Sequence, residues 1–174
     1  GTWMCDNHDQ VFKSTDDGAT WAEAYDTANA PLSEDRYRIR GIAYSTYNGT
    51  SRWVVFATYT GNTRIIYAPA SDTTSWTVAT LQNLISGLNR HIAAGGGTVI
   101  MCQSDNFCRS TDGGQDWTAY TSNTDDLPRS DARGLATDGN GTWVVVHDSG
   151  RVSINASDGA PGNWVEQTGV QDSG

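Results

Sequence analysis

Charged residues and helix-forming residues are scarce in this sequence. Charged side chains make up 18% of the 174 residues, below the share of about a quarter that is usual in globular domains. Glutamate and leucine are few, and Lys13 is the single lysine. Glycine, threonine, serine, asparagine and aspartate are abundant instead, as in strands joined by tight turns. The composition argues against a helical protein and predicts an all-β fold.

The scarcity of positive charge excludes several classes of partner. Eleven lysines and arginines stand against twenty aspartates and glutamates, which gives a formal net charge of −9 at pH 7. An acidic surface argues against nucleic acid and anionic membranes as partners. The chain also lacks an apolar run of about 18 residues, so membrane insertion is not expected. We expect a protein of the extracellular space or of a virion surface, although a cytosolic location is also compatible with this composition.

The three cysteines are too few for a disulfide framework. Cys102 and Cys108 flank a predicted hairpin turn, so a cross-strand disulfide is geometrically possible, and two reduced thiols fit the same pattern. Cys5 has the pattern of an apolar core position. None of the three has a histidine or lysine arrangement that indicates a nucleophile.

One turn motif occurs twice in the sequence, with the pattern S-T-D-x-G-x-x-W at residues 14–21 and 110–117. We call these two segments the tryptophan turns. Serine and aspartate accept hydrogen bonds from turn amides, glycine takes a positive φ, and tryptophan begins the next strand with a large ring. The structural residues are Ser14, Asp16, Gly18, Trp21, Ser110, Asp112, Gly114 and Trp117. Two matches of this specificity indicate an internal repeat.

The tryptophans set the register of that repeat. Trp21, Trp76, Trp117 and Trp164 are separated by 55, 41 and 47 residues, near the length of about 40–50 residues of one propeller blade. Before each of the last three lie an Arg-x-Ile/Leu-Ala segment, a glycine turn and two short strands. The sequence predicts a single β-propeller domain over 1–174, built of four-stranded antiparallel blades. The predicted blades cover about 1–25, 38–81, 89–120 and 132–168.

The predicted array of blades is open. The chain begins within the first turn of a blade, so the first blade lacks its inner strand. An open array leaves a sheet face and strand edges bare, which favours aggregation. We therefore predict that the chain is part of a larger propeller, and completion by a strand from outside this stretch is the alternative.

The tryptophan turn resembles the Asp-box, or BNR repeat. Segments 14–21 and 110–117 match its pattern in full, whereas 69–76 and 157–164 keep only the tryptophan and the turn composition. The repeat occurs in sialidases, xyloglucan-cleaving glucanases, sortilin-like receptors and photosystem II assembly-factor propellers, and similar repeats occur in phage structural proteins. The resemblance implies a β-propeller in which these turns are structural and lie opposite the binding mouth.

An arginine recurs on the predicted binding side, at the entrance of each innermost strand: Arg40, Arg90 and Arg133. Three converging guanidinium groups would bind carboxylate or phosphate, and sialidases are similar in using three arginines for a carboxylate. The alternative is that each arginine bonds neighbouring carbonyls or a loop acid such as Asp131 or Asp35.

Further residues are predicted on the same side, namely Tyr59, His147 and Asp148. A histidine beside an aspartate can perform acid–base chemistry, but such residues are also common in tight turns for backbone reasons. The three histidines are scattered without metal-ligand spacing, so neither a metal nor a cofactor is expected.

The leading functional hypothesis is a non-catalytic display or adhesion module that binds a protein or glycan through its inter-blade loops. Neighbouring subunits of a larger assembly are a further class of partner. One alternative is a fragment of a sialidase-like glycoside hydrolase, and another is an assembly factor that docks a protein on the arginines. A glycosidase needs two carboxylates around the scissile bond. Of the three glutamates only Glu34 lies in a predicted inter-blade loop, and the Arg-Ile-Pro signature of sialidases is missing.

Overall fold

The computed structural model describes residues 1–32, 37–60, 62–82, 91–103, 106–121, 132–148 and 150–167. Every regular element in these ranges is a β-strand, as the composition predicts. The strands are β1 (Trp3–Asp6), β2 (Gln10–Ser14), β3 (Ala22–Asp26), β4 (Arg38–Tyr47), β5 (Thr50–Tyr59), β6 (Asn62–Pro69), β7 (Thr77–Val78), β8 (Thr80–Gln82), β9 (His91–Gly95), β10 (Thr98–Gln103), β11 (Asn106–Ser110), β12 (Asp116–Thr121), β13 (Ala132–Thr137), β14 (Trp143–His147), β15 (Val152–Asn155) and β16 (Val165–Gln167).

The strands form four sheets that follow one another along the chain. Their orders are β1-β2-β3, β4-β5-β6-β7, β8-β12-β11-β10-β9 and β13-β14-β15-β16. The prediction of consecutive antiparallel blades is confirmed, and so is the first blade without an inner strand. Strands β4, β9 and β13 lie next to one another, with β1 beside β4, so the blades radiate from these inner strands.

The third blade has a fifth strand that the sequence did not predict. Strand β8 pairs in parallel with β12, and Thr80 N donates a hydrogen bond of 2.9 Å to the Gln115 carbonyl. The predicted second blade, 38–81, therefore ends with residues that pair in the third sheet. The chain passes from the outer edge of one blade to the outer edge of the next, which ties the two blades together.

Apolar side chains alternate along the strands and fill three cores, one between each pair of consecutive blades. Val54 and Phe56 face the third blade, whereas Val55 and Ala57 face the first. Ile100 and Cys102 of the third blade pack against Trp143 of the fourth. This two-sided burial is what the period of two in a strand predicts for a sheet covered on both faces.

The cysteines are free thiols. Cys102 pairs with Phe107 and Cys108 pairs with Met101, so the two side chains point to opposite faces of the sheet and no disulfide joins them. Burial raises the pKa of both thiols, that of Cys102 to about 12. Cys5, predicted as a core position, is exposed instead, on the face of the first blade that points away from the second.

Candidate functional site

The tryptophan turns satisfy their own polar groups. Ser110 Oγ accepts a hydrogen bond from Gly114 N at 2.9 Å and donates to Asp112 Oδ1 at 2.7 Å. Asp112 Oδ1 accepts hydrogen bonds from the amides of Gln115 and Asp116. The Trp117 indole donates to the Gly114 carbonyl at 2.9 Å. These bonds fix the strand that follows, which supports a structural role.

The first tryptophan turn repeats these bonds. Gly18 N donates to Ser14 Oγ at 2.8 Å, and the Trp21 indole donates to the Gly18 carbonyl at 3.1 Å. Hydrogen bonds from the Thr20 hydroxyl and amide, and then from Ser14, lower the pKa of Asp16 to about 2. This carboxylate is committed to its own turn and is ionised at neutral pH.

The turn of the fourth blade begins two residues earlier than its predicted match at 157–164. Asn155 Oδ1 accepts hydrogen bonds from Ser157 N at 2.8 Å and Gly159 N at 2.9 Å, which is the role of Ser110 Oγ in the third blade. The loop before Trp164 is correspondingly longer. A search for serine at a fixed distance from tryptophan therefore misses this copy.

All these turns lie on one side of the molecule. Gly113 N donates to the Gly97 carbonyl at 2.9 Å, and Asp158 N donates to the Gly141 carbonyl at 2.9 Å, so the turns of the third and fourth blades rest on the first hairpins of those blades. The opposite side carries the β1–β2 turn, the last residues of β5, β10 and β14, and the beginnings of the inner strands. We call that opposite side the loop face.

Arg40 and Arg133 occupy equivalent positions on the loop face, each as the extra residue of a β-bulge in an inner strand. A bulge turns its side chain out of the regular alternation, and bulges are common beside binding sites. Arg40 Nε donates to Thr58 Oγ1 at 3.1 Å. Arg133 donates through Nε and a terminal nitrogen to both carboxylate oxygens of Asp148, which lowers the pKa of this carboxyl. Each bulged arginine is thus bonded within its own blade.

The other predicted site residues differ in how far they are exposed to solvent. Tyr59 packs edge-on against Tyr37, with ring centroids 6.0 Å apart. His147 is 4% exposed and its Nε2 lies 3.0 Å from Ser153 Oγ, so its ring lies largely in the blade interior, and its contact with a partner stays a prediction. Asp148 is exposed beside it. Arg90, Asp131, Asp35 and Glu34 lie outside the described residues.

A charged pair and a cavity extend the loop face toward the first blade. Arg38 Nη1 donates to Asp9 Oδ1 at 2.5 Å and so joins the second blade to the β1–β2 turn of the first. A cavity of about 340 Å³ lies beside this pair and is lined by Asp9, Gln10, Asp26, Thr27 and Ala28. The sequence analysis missed Arg38, which lies two residues before Arg40, and nothing in the sequence places Asp9 against it.

The described residues contain neither a cluster of metal ligands nor a membrane-spanning helix. Within the described ranges no three histidine, cysteine, aspartate or glutamate side chains converge on a point that could hold a metal ion. No helix in the same ranges is long and apolar enough to cross a membrane.

Comparison with known proteins identifies the fold. No protein-family model and no curated protein sequence matches the chain. Among solved structures, YCF48 bound to D1 peptide superposes with a TM-score of 0.56 at 20% identity, over 90% of this chain and 48% of that one. An ancestral GH74 enzyme superposes with a TM-score of 0.57 at 15% identity, over 91% of this chain and 21% of that one. A point mutant of the NanB sialidase from Streptococcus pneumoniae superposes with a TM-score of 0.55 at 9% identity, over 94% of this chain and 28% of that one.

These likenesses concern the fold alone, because the identities are low. The chain spans less than half the length of each of the three proteins. Its sheets do not close into a ring in the described part of the chain, as in a section of a propeller. The chain folds as an all-β section of a β-propeller.

Proposed function

We propose that this chain is a non-catalytic binding module of the Asp-box type that recognises a protein segment through its loop face. The observation that carries the proposal is the pair of ionic groups on that face, Arg133–Asp148 and Arg38–Asp9, of which the second borders the acidic cavity. Exposed ion pairs contribute little to the free energy of folding. A partner's carboxylate or amine can therefore replace one member of the pair at low cost. Arginine adds two-point recognition of a carboxylate.

The chemistry of the loop face supports binding over glycoside hydrolysis. A glycosidase needs a carboxyl group with a raised pKa as proton donor. Asp148 has a lowered pKa because Arg133 stabilises its ionised form, so it is a poor general acid. Resemblance to the GH74 enzyme and the sialidase keeps a hydrolase fragment as the second candidate function.

Two observations favour a peptide partner over a glycan: the peptide bound to a protein of similar fold, and the position of the exposed tryptophans. YCF48, with the same fold, has been captured with a peptide. Two exposed tryptophans that would suit sugar stacking, Trp3 and Trp21, lie on the first blade away from the loop face. The acidic composition supports display in the extracellular space, on a virion or cell surface, as a structural or adhesion protein or as an assembly factor.

Selection from a random peptide library displayed on phage tests the proposal. We expect peptides selected on the full chain to bind the Arg133→Ala variant at least about tenfold more weakly, as expected when a charged anchor is removed. Arg52→Ala removes the same charge at the end of β5 that lies away from the loop face, and it should leave binding unchanged. Equal binding by the wild type and both variants, or release of sugar from a panel of sialosides and β-glucans, would contradict the proposal.

A further inference from the structure

The acidic cavity on the loop face is built from two segments of the first blade. Asp9 and Gln10 come from the β1–β2 turn and the beginning of β2, and Asp26, Thr27 and Ala28 come from the end of β3 and the residues after it. Gln10 pairs with Asp26 across the two strands, and Thr27 N donates a hydrogen bond of 2.9 Å to the Asp9 carbonyl. The sheet itself therefore holds the walls of the cavity in place.

Negative charge around this cavity exceeds the positive charge beside it. Asp9 is paired with Arg38. Asp26 accepts a hydrogen bond of 3.3 Å from Gln10 Nε2, a neutral donor that also donates to Glu23 Oε2 at 2.7 Å. In the described part of the chain neither Asp26 nor Glu23 forms an ion pair. Three carboxylates thus stand against one guanidinium group, which favours a bound cation.

A buried hydroxyl group lines the same cavity. Thr27 is 0% exposed, and its Oγ1 has no hydrogen-bond partner among the residues that the structure describes. A buried polar group that lacks a partner lowers stability, and a bound ion or ligand is one of the few things that can complete it. Because the Thr27 hydroxyl shares the cavity with two carboxylates, a ligand that completes it carries hydrogen-bond donors and positive charge.

The geometry favours an ammonium group over a metal ion. The histidine, cysteine, aspartate and glutamate side chains in the described ranges form no group of three that could hold a metal ion. A volume of about 340 Å³ lies in the range of sites for small organic groups. An ammonium group presents three donors on a compact charge, and Asp9, Asp26 and Thr27 offer oxygen acceptors to it.

We propose that the acidic cavity binds a primary ammonium group of the partner. Asp26 and Asp9 supply the opposite charge, and the Thr27 hydroxyl accepts one hydrogen bond. The proposal rests on the binding of a protein segment at the loop face, and it names a chemical group of that segment. A lysine side chain and the amino terminus of a peptide both carry this group.

Titration of the full chain with n-butylammonium chloride, which reproduces the end of a lysine side chain, tests the cavity by NMR spectroscopy. We expect the backbone amide signals of residues 26–28 to shift and to reach saturation. Thr27→Val removes only the hydroxyl and should raise the dissociation constant at least about threefold. Asp26→Asn removes a charged acceptor and should raise it at least about tenfold. Equal dissociation constants for the wild type and both variants would overturn the proposal.

Two variants are matched controls for this titration. Thr63→Val removes another buried hydroxyl that has no partner, in β6 and outside the walls of the cavity. Asp116→Asn removes an exposed carboxylate of the third blade. Both should bind n-butylammonium as the wild type does. Thr27→Val should also keep or raise the midpoint of thermal unfolding, because it deletes an unbonded buried hydroxyl. A lower midpoint with unchanged amine binding would make that hydroxyl structural and overturn its proposed role.

Peptides selected on the full chain separate this proposal from loop-face binding itself. We expect their affinity to fall when lysine is replaced by norleucine or, in peptides without lysine, when the amino terminus is acetylated. The loss should be smaller on the Thr27→Val variant. Affinity that depends on Arg133 but on neither change would leave loop-face binding intact and overturn the ammonium site. Affinity that depends on these changes but not on Arg133 would support the ammonium site and contradict the role proposed for Arg133.

Discussion

At the scale of single residues, the tryptophan turns show which properties belong to a local sequence. Their hydrogen bonds depend only on residues within eight positions, and both copies make them with nearly the same lengths. The burial of the ring depends on whether another blade lies against it, so Trp117 and Trp21 differ although their sequence patterns agree. Local pattern thus predicts the bonds and not the burial.

Replacing each ring tests this separation. Trp117→Ala should lower the free energy of unfolding by about 3–5 kcal/mol. Trp21→Ala should cost less, about 1 kcal/mol, because its ring is half exposed. Urea denaturation followed by circular dichroism measures both, and equal losses would contradict the assignment of burial.

Asp16 should make stability depend on pH in the acid range. Its folded-state pKa is lowered to about 2 from 3.8. A group with a depressed folded pKa stabilises the native state above its unfolded pKa, and this contribution is lost as pH falls through the folded pKa. The free energy of unfolding should therefore decrease from about pH 4 to pH 2, and Asp16→Asn should flatten that slope. An unchanged slope in thermal or urea unfolding would show that Thr20 and Ser14 do not hold this carboxylate ionised.

At the scale of elements, Gly114 of the third blade packs closely against Val54 of the second. Gly139 has a positive φ and nothing within 4 Å of an added Cβ, so Gly139→Ala should cost only the backbone strain of about 1–2 kcal/mol. Gly114→Ala adds the clash with Val54, which typically costs about 1–3 kcal/mol more. Adding Val54→Ala to Gly114→Ala should recover part of that difference. Additive losses in the double variant would show that the two residues do not pack against each other.

The elements also show what the sequence could predict. Alternating apolar residues and glycine turns predicted strands β4 to β6 and β13 to β15, since these signals are local. Strand β8 was missed because three residues of no distinctive pattern pair in parallel with a strand reached only after the chain crosses to the next blade. The bulges at Arg40 and Arg133 were missed because an extra residue on one strand is visible only against its partner.

At the scale of the whole molecule, the structural turns and the proposed binding residues lie on opposite sides. The tryptophan turns use their carboxylates and indoles to hold strands, on the side of the first hairpins. The loop face collects arginines and aspartates from separate blades, including the pair Arg38–Asp9, which no local pattern could have joined because it spans two blades. The recurrence of arginine predicted where charge would lie, and the fold determined its partners.

Hydrogen–deuterium exchange of the full chain, with and without a peptide selected on it, locates the bound partner. Binding at the loop face predicts slower exchange at residues 57–60, 132–134 and 147–148, with no change at 14–21 and 110–117. Slower exchange confined to 14–21 and 110–117 would contradict that assignment and would make the tryptophan turns the recognition site.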